Sequence, residues 1–547
     1  MPPQYRFPTC SCNNFYFPGI FIVYLSIFFG VICLKKTSFI FGTIMLTLVN
    51  IFIRSLGFIY KILLSRLIGA TAIGIYQMVY PILSLLIAIP TSGIPLALSK
   101  QIAQEKSLNN QDAIYKTLFI ALSLTTIISL SLSVLVSYKI DFIVNCILKN
   151  SDLYYPVLWT IPSISIISFS SILRSFFYGL NEMVAPAYAQ IIEQLFRIVF
   201  VLSFLYYKTP TNPIAAATIA IIGILLGEVC GLIYLILKLS FKKNILKSSF
   251  FPSYHKHTTK TLQPLLFVAI PITLSRLISV IMQTANSILI PRKLQLIGYS
   301  AINAIGTFGK ISGMAMPLLY LPFTVTNALV LNLVPSISKE LAINNLRDVQ
   351  QKSSLALRIT LLVAIPTTFV YVIFGPHICH LVYGHKDIGN YLSIISLATI
   401  FLCMQHTLSG ILHGMGRQIM TTIHHLLGMG IQLYCTYFLI ANPRYGLKGY
   451  FIGFFLSTFL TFSLNFLFLV RHIKLDMPIA STFIKPIIAS LSAVVAIIYS
   501  YKGFFIISAN NLLSSIVSFT LGAFSYLLVL IVTNAFDFKY LINTIRN

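Results

Sequence analysis

At 547 residues the chain is 57% hydrophobic and only 9% charged, with a mean hydropathy of +0.88, which excludes an ordinary soluble domain. Only 12 acidic residues face 38 Lys and Arg, a formal net charge of +26. In a soluble chain that excess points to nucleic acid. In a chain this apolar it reflects basic loops held on one side of a membrane and contact with anionic headgroups, so no nucleic-acid partner is expected.

A helix needs about 20 apolar residues to cross the hydrocarbon core. In chain order, an apolar stretch at 15–34 comes first. It lacks a strong basic n-region and a small-residue cleavage site, so residues 1–34 read as an extra helix, an uncleaved signal or a dispensable extension. About fourteen spans follow, near 38–62, 74–98, 114–138, 154–178, 186–207, 213–239, 263–291, 303–333, 356–378, 389–413, 419–441, 447–470, 480–501 and 512–535. The connection at 242–262 is the most basic, with Lys242, Lys243, Lys247, Lys256 and Lys260. Placing it in the cytoplasm puts 99–113, 336–355 and the C-terminal tail there too, and that side then holds Lys and Arg in a ratio of about two to one. The eight cysteines form no CxxC pair and read as small apolar fillers.

The chain also repeats itself. GIPLALSKQIA at 93–103 recurs as NLVPSISKELA at 332–342, FFYGLNEM at 176–183 as ILHGMGRQ at 411–418, and Asn212-Pro213 as Asn442-Pro443. The three offsets fall between about 230 and 239 residues. They pair spans 1–6 with spans 7–12 in the same orientation, which divides the chain into an N-lobe at 35–241, the basic linker at 242–262, a C-lobe at 263–473, and two extra spans at 474–547. Two such bundles face each other across a central cleft in many secondary transporters.

A charge at mid-bilayer costs roughly 2.5–3.5 kcal/mol on insertion scales, so it normally faces a protein interior or a watery cavity. Arg54, Glu193, Arg197, Glu228, Arg276 and Lys310 all lie inside predicted spans. Glu193 and Arg197 are four apart on one helix face and can neutralise each other, with Gln190 and Gln194 extending the polar stripe. This is either a structural lock between helices or an Arg197 oriented by Glu193 toward the cleft. Lys61 and Arg66 lie toward the outer rim, where they are expected to snorkel to headgroups. Arg54 is deeper and has no acid in its own span, and Arg276 occupies the comparable place in the seventh span. Arginine stays charged and binds phosphate oxygens bidentately, which suits a diphosphate. Lys310 reads as a third cleft cation on an irregular, Gly- and Pro-rich helix. Glu228 is a proton or ion site, or a partner for an arginine. His406, His413, His424 and His425 come with no carboxylate, so no metal site is expected. There is no GxxxxGK[ST] loop, no GxSxG elbow and no paired loop carboxylates, so neither an enzyme nor a cofactor is expected.

RSLGFIYKILLSRLIGATAIGIYQMVYPILSLL, GIPLALSKQIA, SSILRSFFYGLNEMVAPAYAQIIEQLFRI and GKISGMAMPLLYLP…LVPSIS together resemble the stage V sporulation protein B branch of the multidrug/oligosaccharidyl-lipid/polysaccharide flippase superfamily. The resemblance covers roughly 38–535. It implies fourteen helices, two six-helix lobes around a central cavity, alternating access, and a lipid-linked oligosaccharide cargo such as a peptidoglycan precursor for the spore cortex. The first-span arginine motif of the more distant lipid II flippases matches at Arg54 and Arg66, while a further arginine of that motif falls on Tyr60. Lys310 and Asn286 stand where the sporulation branch carries acids, which argues against cation coupling through those positions.

The expectation is therefore an all-α polytopic flippase of the bacterial cytoplasmic membrane. Its expected partners are a lipid-linked glycan, membrane lipids and cell-wall synthesis enzymes, and a monomer suffices. A drug or cation antiporter is the second reading and requires acidic cavity residues. A non-transporting scaffold for cell-wall enzymes is the third, and a polytopic glycosyltransferase a distant fourth.

Overall fold

Within hydrocarbon every backbone N–H and C=O must find its partner inside the segment, which leaves a chain of this composition little choice but helices. The computed structural model describes residues 39–207, 212–241, 258–508 and 510–533, and every regular element among them is helical. Residues 15–34, most of the basic linker and the C-terminal tail lie outside the described residues.

The main helices are α1 (Phe39–Thr91), α2 (Gly93–Ser107), α3 (Gln111–Tyr138), α4 (Thr160–Gly179), α5 (Val184–Tyr207), α6 (Pro213–Ser240), α7 (Thr258–Leu296) and α8 (Ala301–Phe308). They continue with α9 (Phe323–Ala342), α10 (Leu346–Tyr383), α11 (Asp387–Ile395), α12 (Thr399–Gly414), α13 (Gln418–Phe438), α14 (Leu447–His472), α15 (Lys485–Ser508) and α16 (Asn511–Val532). Asparagines start several of them. Asn110 Oδ1 accepts from the Ala113 N–H at 3.2 Å, Asn212 from Ile214 at 2.9 Å with Pro213 in the first turn, and Asn510 from Leu512 at 3.0 Å. Gly384, in the left-handed region at φ 81°, closes α10.

Among the described residues, 11 helical elements are long and apolar enough to cross a membrane, or 12 when the pair Ala301–Leu319 and Phe323–Ala342 counts as one span. That is fewer than the fourteen expected. Two features account for most of the gap. α1 has 53 residues, about 80 Å at 1.5 Å per residue, and Gly69 breaks it at φ 76°, ψ 175°. A core about 30 Å thick cannot hold that length straight, so α1 folds back at Gly69. The pair around Lys310 is bent by 55°, and a π-helical turn, Gly309–Ala315, interrupts it. The irregularity expected from the glycines and prolines there is present.

One packing contact occurs twice. A Cβ on Gly179 would stand 2.8 Å from the Ser99 carbonyl and the Ile102 Cβ, and a Cβ on Gly414 would stand 3.0 Å from the Val334 carbonyl and the Ile337 Cβ. Both members shift by the same interval, Ile102 to Ile337 and Gly179 to Gly414. The two contacts share the 235-residue offset of the second motif, whereas the 239-residue offset of the first would pair Ile102 with Leu341, so the second-half contact sits one helical turn earlier along α9.

Three apolar clusters organise the interior. One joins α2, α3, α4 and α6 through Leu98, Ile102, Leu118, Phe176, Phe177 and Leu235. A second joins α9, α10, α12 and α14 through Ile337, Leu357, Leu361, Leu408, Ile411 and Leu469. The largest spans both halves of the sequence, placing Ile73, Val79, Val201 and Ala217 with Ile305, Met314, Tyr371 and Leu392. The contact between the halves is close: a Cβ on Gly309 would stand 2.0 Å from the Ala70 carbonyl, and one on Gly74 2.1 Å from the Ile305 carbonyl. Only glycine lets these backbones approach so far. α7 packs on α1 and α2 as well as on α13, and α15 and α16 form a hairpin against α10.

Candidate functional site

Three helices bring four charges together. α4 carries Arg174, α5 carries Glu193 and Arg197, and α6 carries Glu228. Glycines at 223, 227 and 231 let α6 lie against α5, and a Cβ on Gly227 would stand 2.7 Å from the Glu193 carbonyl. Arg174 Nη2 donates to Glu193 Oε2 at 2.9 Å and to Glu228 Oε2 at 3.0 Å, and Arg197 Nη2 donates to Glu193 Oε1. The four side chains are between 9% and 19% exposed. Two positive and two negative groups thus form a neutral quartet, the condition under which buried ions are tolerable. The Nε atoms of Arg174 and Arg197 are buried without a hydrogen-bond partner.

Two glutamines flank Glu193 on α5. Gln190 Nε2 donates to Tyr178 Oη at 3.5 Å. Gln194 is buried, and its Nε2 would lie 3.6 Å from a Cβ on Gly57 of α1. That places the end of the stripe one helical turn from Arg54.

Arg54 and Arg276 differ from the other deep cations. Both are exposed, and neither makes an ion pair or a hydrogen bond among the described residues. On α12, His406 is the residue whose surroundings stand out. The His406 ring stacks on Phe323 with centroids 5.0 Å apart, and its Nδ1 is buried without a partner. Arg276 lies one turn beyond Thr273, whose hydroxyl accepts the Gly93 N–H at 3.1 Å where α7 meets α2. Unpaired cations within membrane-spanning helices point to a water-filled or anion-filled surface.

Lys310 and Arg66 have different surroundings from those expected. Lys310 Nζ bonds Asp387 Oδ2 at 2.5 Å, across to the start of α11, so its charge is neutralised rather than offered to a cleft. Arg66 does not simply reach for headgroups. Its guanidinium donates to the Leu381 and Val382 carbonyls at the C-terminal end of α10, where the helix leaves carbonyls unpaired and its dipole favours a cation. Lys61 is half-buried. His413 pairs with Thr421 Oγ1 at 2.9 Å and His424 with Asn465 Oδ1 at 2.8 Å. No group of three His, Cys, Asp or Glu able to hold a metal occurs among the described residues.

The sequence reading passed over Arg174, the hub of the quartet. It is the single charge in TIPSISIISFSSILRSFFYG, and the mid-span criterion that singled out Arg54 would have found it. Asp387 was missed because it stands at a helix start, where an acid is ordinary.

The family model described as polysaccharide biosynthesis protein matches residues 39–339, more than half of the length. The chain belongs to the polysaccharide biosynthesis protein family. A second model, MatE, matches 311–438. The family member is similar to stage V sporulation protein B of Bacillus subtilis (strain 168), 26% identical over 416 residues, 76% of this chain and 80% of that protein. It is also similar to lipid II flippase MurJ of the same organism, 24% identical over 424 residues, 72% of this chain and 75% of that protein. Among solved structures, an inward-facing multidrug resistance MATE transporter of the MOP superfamily aligns with a TM-score of 0.63 at 17% identity, over 82% of this chain and 96% of that one. Lipid II flippase MurJ in an inward closed conformation aligns with a TM-score of 0.63 at 19% identity, over 89% and 98%. The resemblance to stage V sporulation protein B holds, and the polytopic all-α fold is that of these transporters. The protein is a multi-pass membrane protein of the polysaccharide biosynthesis protein family, and a lipid II flippase is among its relatives.

Proposed function

We propose that this protein translocates a lipid-linked oligosaccharide by alternating access between two six-helix lobes. The headgroup diphosphate rests against Arg54 and Arg276, one from each half, while the polyprenyl tail stays in lipid. One observation carries this reading: Arg197 and Lys310 are held by carboxylates, and Arg54 and Arg276 are exposed with no protein counter-ion among the described residues. Arginine's planar donor pairs match phosphate oxygens, and burial from bulk water strengthens the contact. The quartet around Arg174 ties α4, α5 and α6 together and adds no net charge of its own.

The MatE match and the MATE likeness favour a drug or cation antiporter as a second reading. Such a cycle needs an acid free to bind a cation. Glu193 and Glu228 are both engaged by arginines, which weighs against it. The test is flipping of lipid II in proteoliposomes, comparing the wild type with an Arg54→Ala/Arg276→Ala double variant that retains its thermal transition. Transport lost in the variant supports the diphosphate cleft. Transport that survives removes the two arginines from the mechanism, and export of cationic drugs without lipid II flipping establishes the antiporter.

A further inference from the structure

A cavity of about 200 Å³ lies between α10 and the α15–α16 hairpin, away from the charged cleft. Phe374 and His377 line it from α10, Tyr501 and Lys502 from α15, and Ser515 and Phe519 from α16. All three helices approach their ends here. His377 is six residues from Tyr383, Lys502 six from Ser508, and Ser515 four after Asn511. At 1.5 Å per residue those three side chains lie about 6–9 Å from the helix ends, at the depth of lipid headgroups and upper acyl chains, while Phe374, Ile497 and Phe519 carry the cavity to about 12–17 Å.

The polar groups of the wall satisfy one another. His377 Nε2 and Ser515 Oγ are 2.8 Å apart, the Ser515 hydroxyl also donates to the Asn511 carbonyl at 2.5 Å, and Tyr501 Oη donates to Asn511 Oδ1 at 3.0 Å. No lining residue has a buried polar atom without a partner. A water needs two to four polar partners, so the space has no use for one. The remaining surface is aromatic and aliphatic, with Phe374 and Phe519 edge to face at 5.9 Å and His377 against Tyr501 at 4.9 Å. The volume exceeds the roughly 150 Å³ that admits benzene and falls below the roughly 300 Å³ at which sites for whole small molecules begin. It takes part of a hydrocarbon chain. Beside it stands Lys502, an exposed cation with no ion pair or hydrogen bond among the described residues.

We propose that this cavity is a binding site for an anionic bilayer phospholipid, with an acyl-chain segment between α10 and the hairpin and the phosphate on Lys502. The hairpin meets α10 directly at its other end, where Tyr526 Oη donates to the Leu362 carbonyl at 2.7 Å and Ala489 and Leu530 pack with Leu362. At the cavity end a lipid completes the joint, so the hairpin's seating depends on membrane composition. The proposal stands on the cavity and Lys502 alone and does not depend on which cargo the cleft takes.

Native mass spectrometry of the full-length protein, purified from vesicles containing equal phosphatidylglycerol and phosphatidylcholine of matched chains, tests it. The wild type should retain phosphatidylglycerol over phosphatidylcholine by about fivefold, the ratio that about 1 kcal/mol from one lysine beside an anionic surface gives. Lys502→Gln should bring that ratio to unity, and Ser518→Phe, at a buried serine of α16 that also lines the cavity, should fill it and lose the bound lipid of either kind. Photo-crosslinkable phosphatidylglycerol should label peptides 374–377 and 498–519 of the unmodified protein, which gives an answer even if Ser518→Phe fails to fold. Equal retention of both lipids by the wild type, variants indistinguishable from it, or labelling spread evenly around the helices would mean annular lipid only and overturn the proposal.

Discussion

Arg66 donates to the carbonyl of Val382, 316 residues away in sequence, and in doing so fastens the end of the first crossing of α1 to the C-terminus of α10. The same guanidinium reaches Leu381. A charged donor on a helix C-terminus gains from both the unpaired carbonyls and the dipole, though exposure tempers the gain to about 1 kcal/mol. Arg66→Ala should lower the thermal transition modestly and raise amide exchange at 381–386 more than elsewhere. Arg66→Lys should recover only part of the protection, because one ammonium replaces a planar fork. Unchanged exchange in both variants would remove Arg66 as a tie.

The neutral quartet predicts strong non-additivity. Arg174→Ala leaves two carboxylates to share Arg197, and breaking a buried pair typically costs about 3–5 kcal/mol. Adding Glu228→Gln removes the surplus negative charge, so the double variant should melt above the single one. A double variant that is additive or worse would mean Arg174 contributes packing rather than charge balance.

Gly309 should resist substitution more than its exposure suggests. The added methyl of Gly309→Ala would stand 2.0 Å from the Ala70 carbonyl, and relief requires the helices to separate, at about 1–3 kcal/mol. Gly430→Ala has nothing within 4 Å of the new methyl and serves as the control. Equal melting of the two variants would show that α1 and the 309–315 turn are not in contact at this distance.

On the proposed mechanism Arg54 and Arg276 should also make transport sensitive to voltage, because moving one elementary charge through 100 mV is worth about 2.3 kcal/mol. Flipping in potassium-loaded vesicles is expected to change severalfold when valinomycin sets the potential. A rate indifferent to the potential would mean that the two charges do not cross the field during the cycle.

Much of the molecule was legible from residue order. Apolar length identified the spans, because the bilayer leaves no alternative to a helix of that length. The Glu193–Arg197 pair followed from four-residue spacing, and the irregular stretch around Lys310 from its glycines and prolines. Spacing along one helix, however, says nothing about which other helix stands opposite. The bonds from Arg174 to Glu228, Lys310 to Asp387 and Arg66 to Val382 cross 54, 77 and 316 residues, so they depend on how helices are placed. For the same reason the sequence reads Lys310 as a third cleft cation with no sign of its Asp387 partner. The span count also differed, since a single 53-residue helix with one break at Gly69 does not divide itself on hydropathy alone.

The quartet also sets an order of events during synthesis. Arg174 leaves the ribosome 19 residues before Glu193 and 54 before Glu228. At about 5–20 residues per second its guanidinium waits roughly 1–4 s for the first carboxylate and 3–11 s for the second. During that interval α4 is an apolar segment with an uncompensated cation, and α5 and α6 arrive as its chemical complement. The first half of the chain should therefore settle in the bilayer as a three-helix hairpin unit rather than one crossing at a time, and a stop codon placed between Arg174 and Glu193 should yield a fragment that the insertion machinery releases poorly.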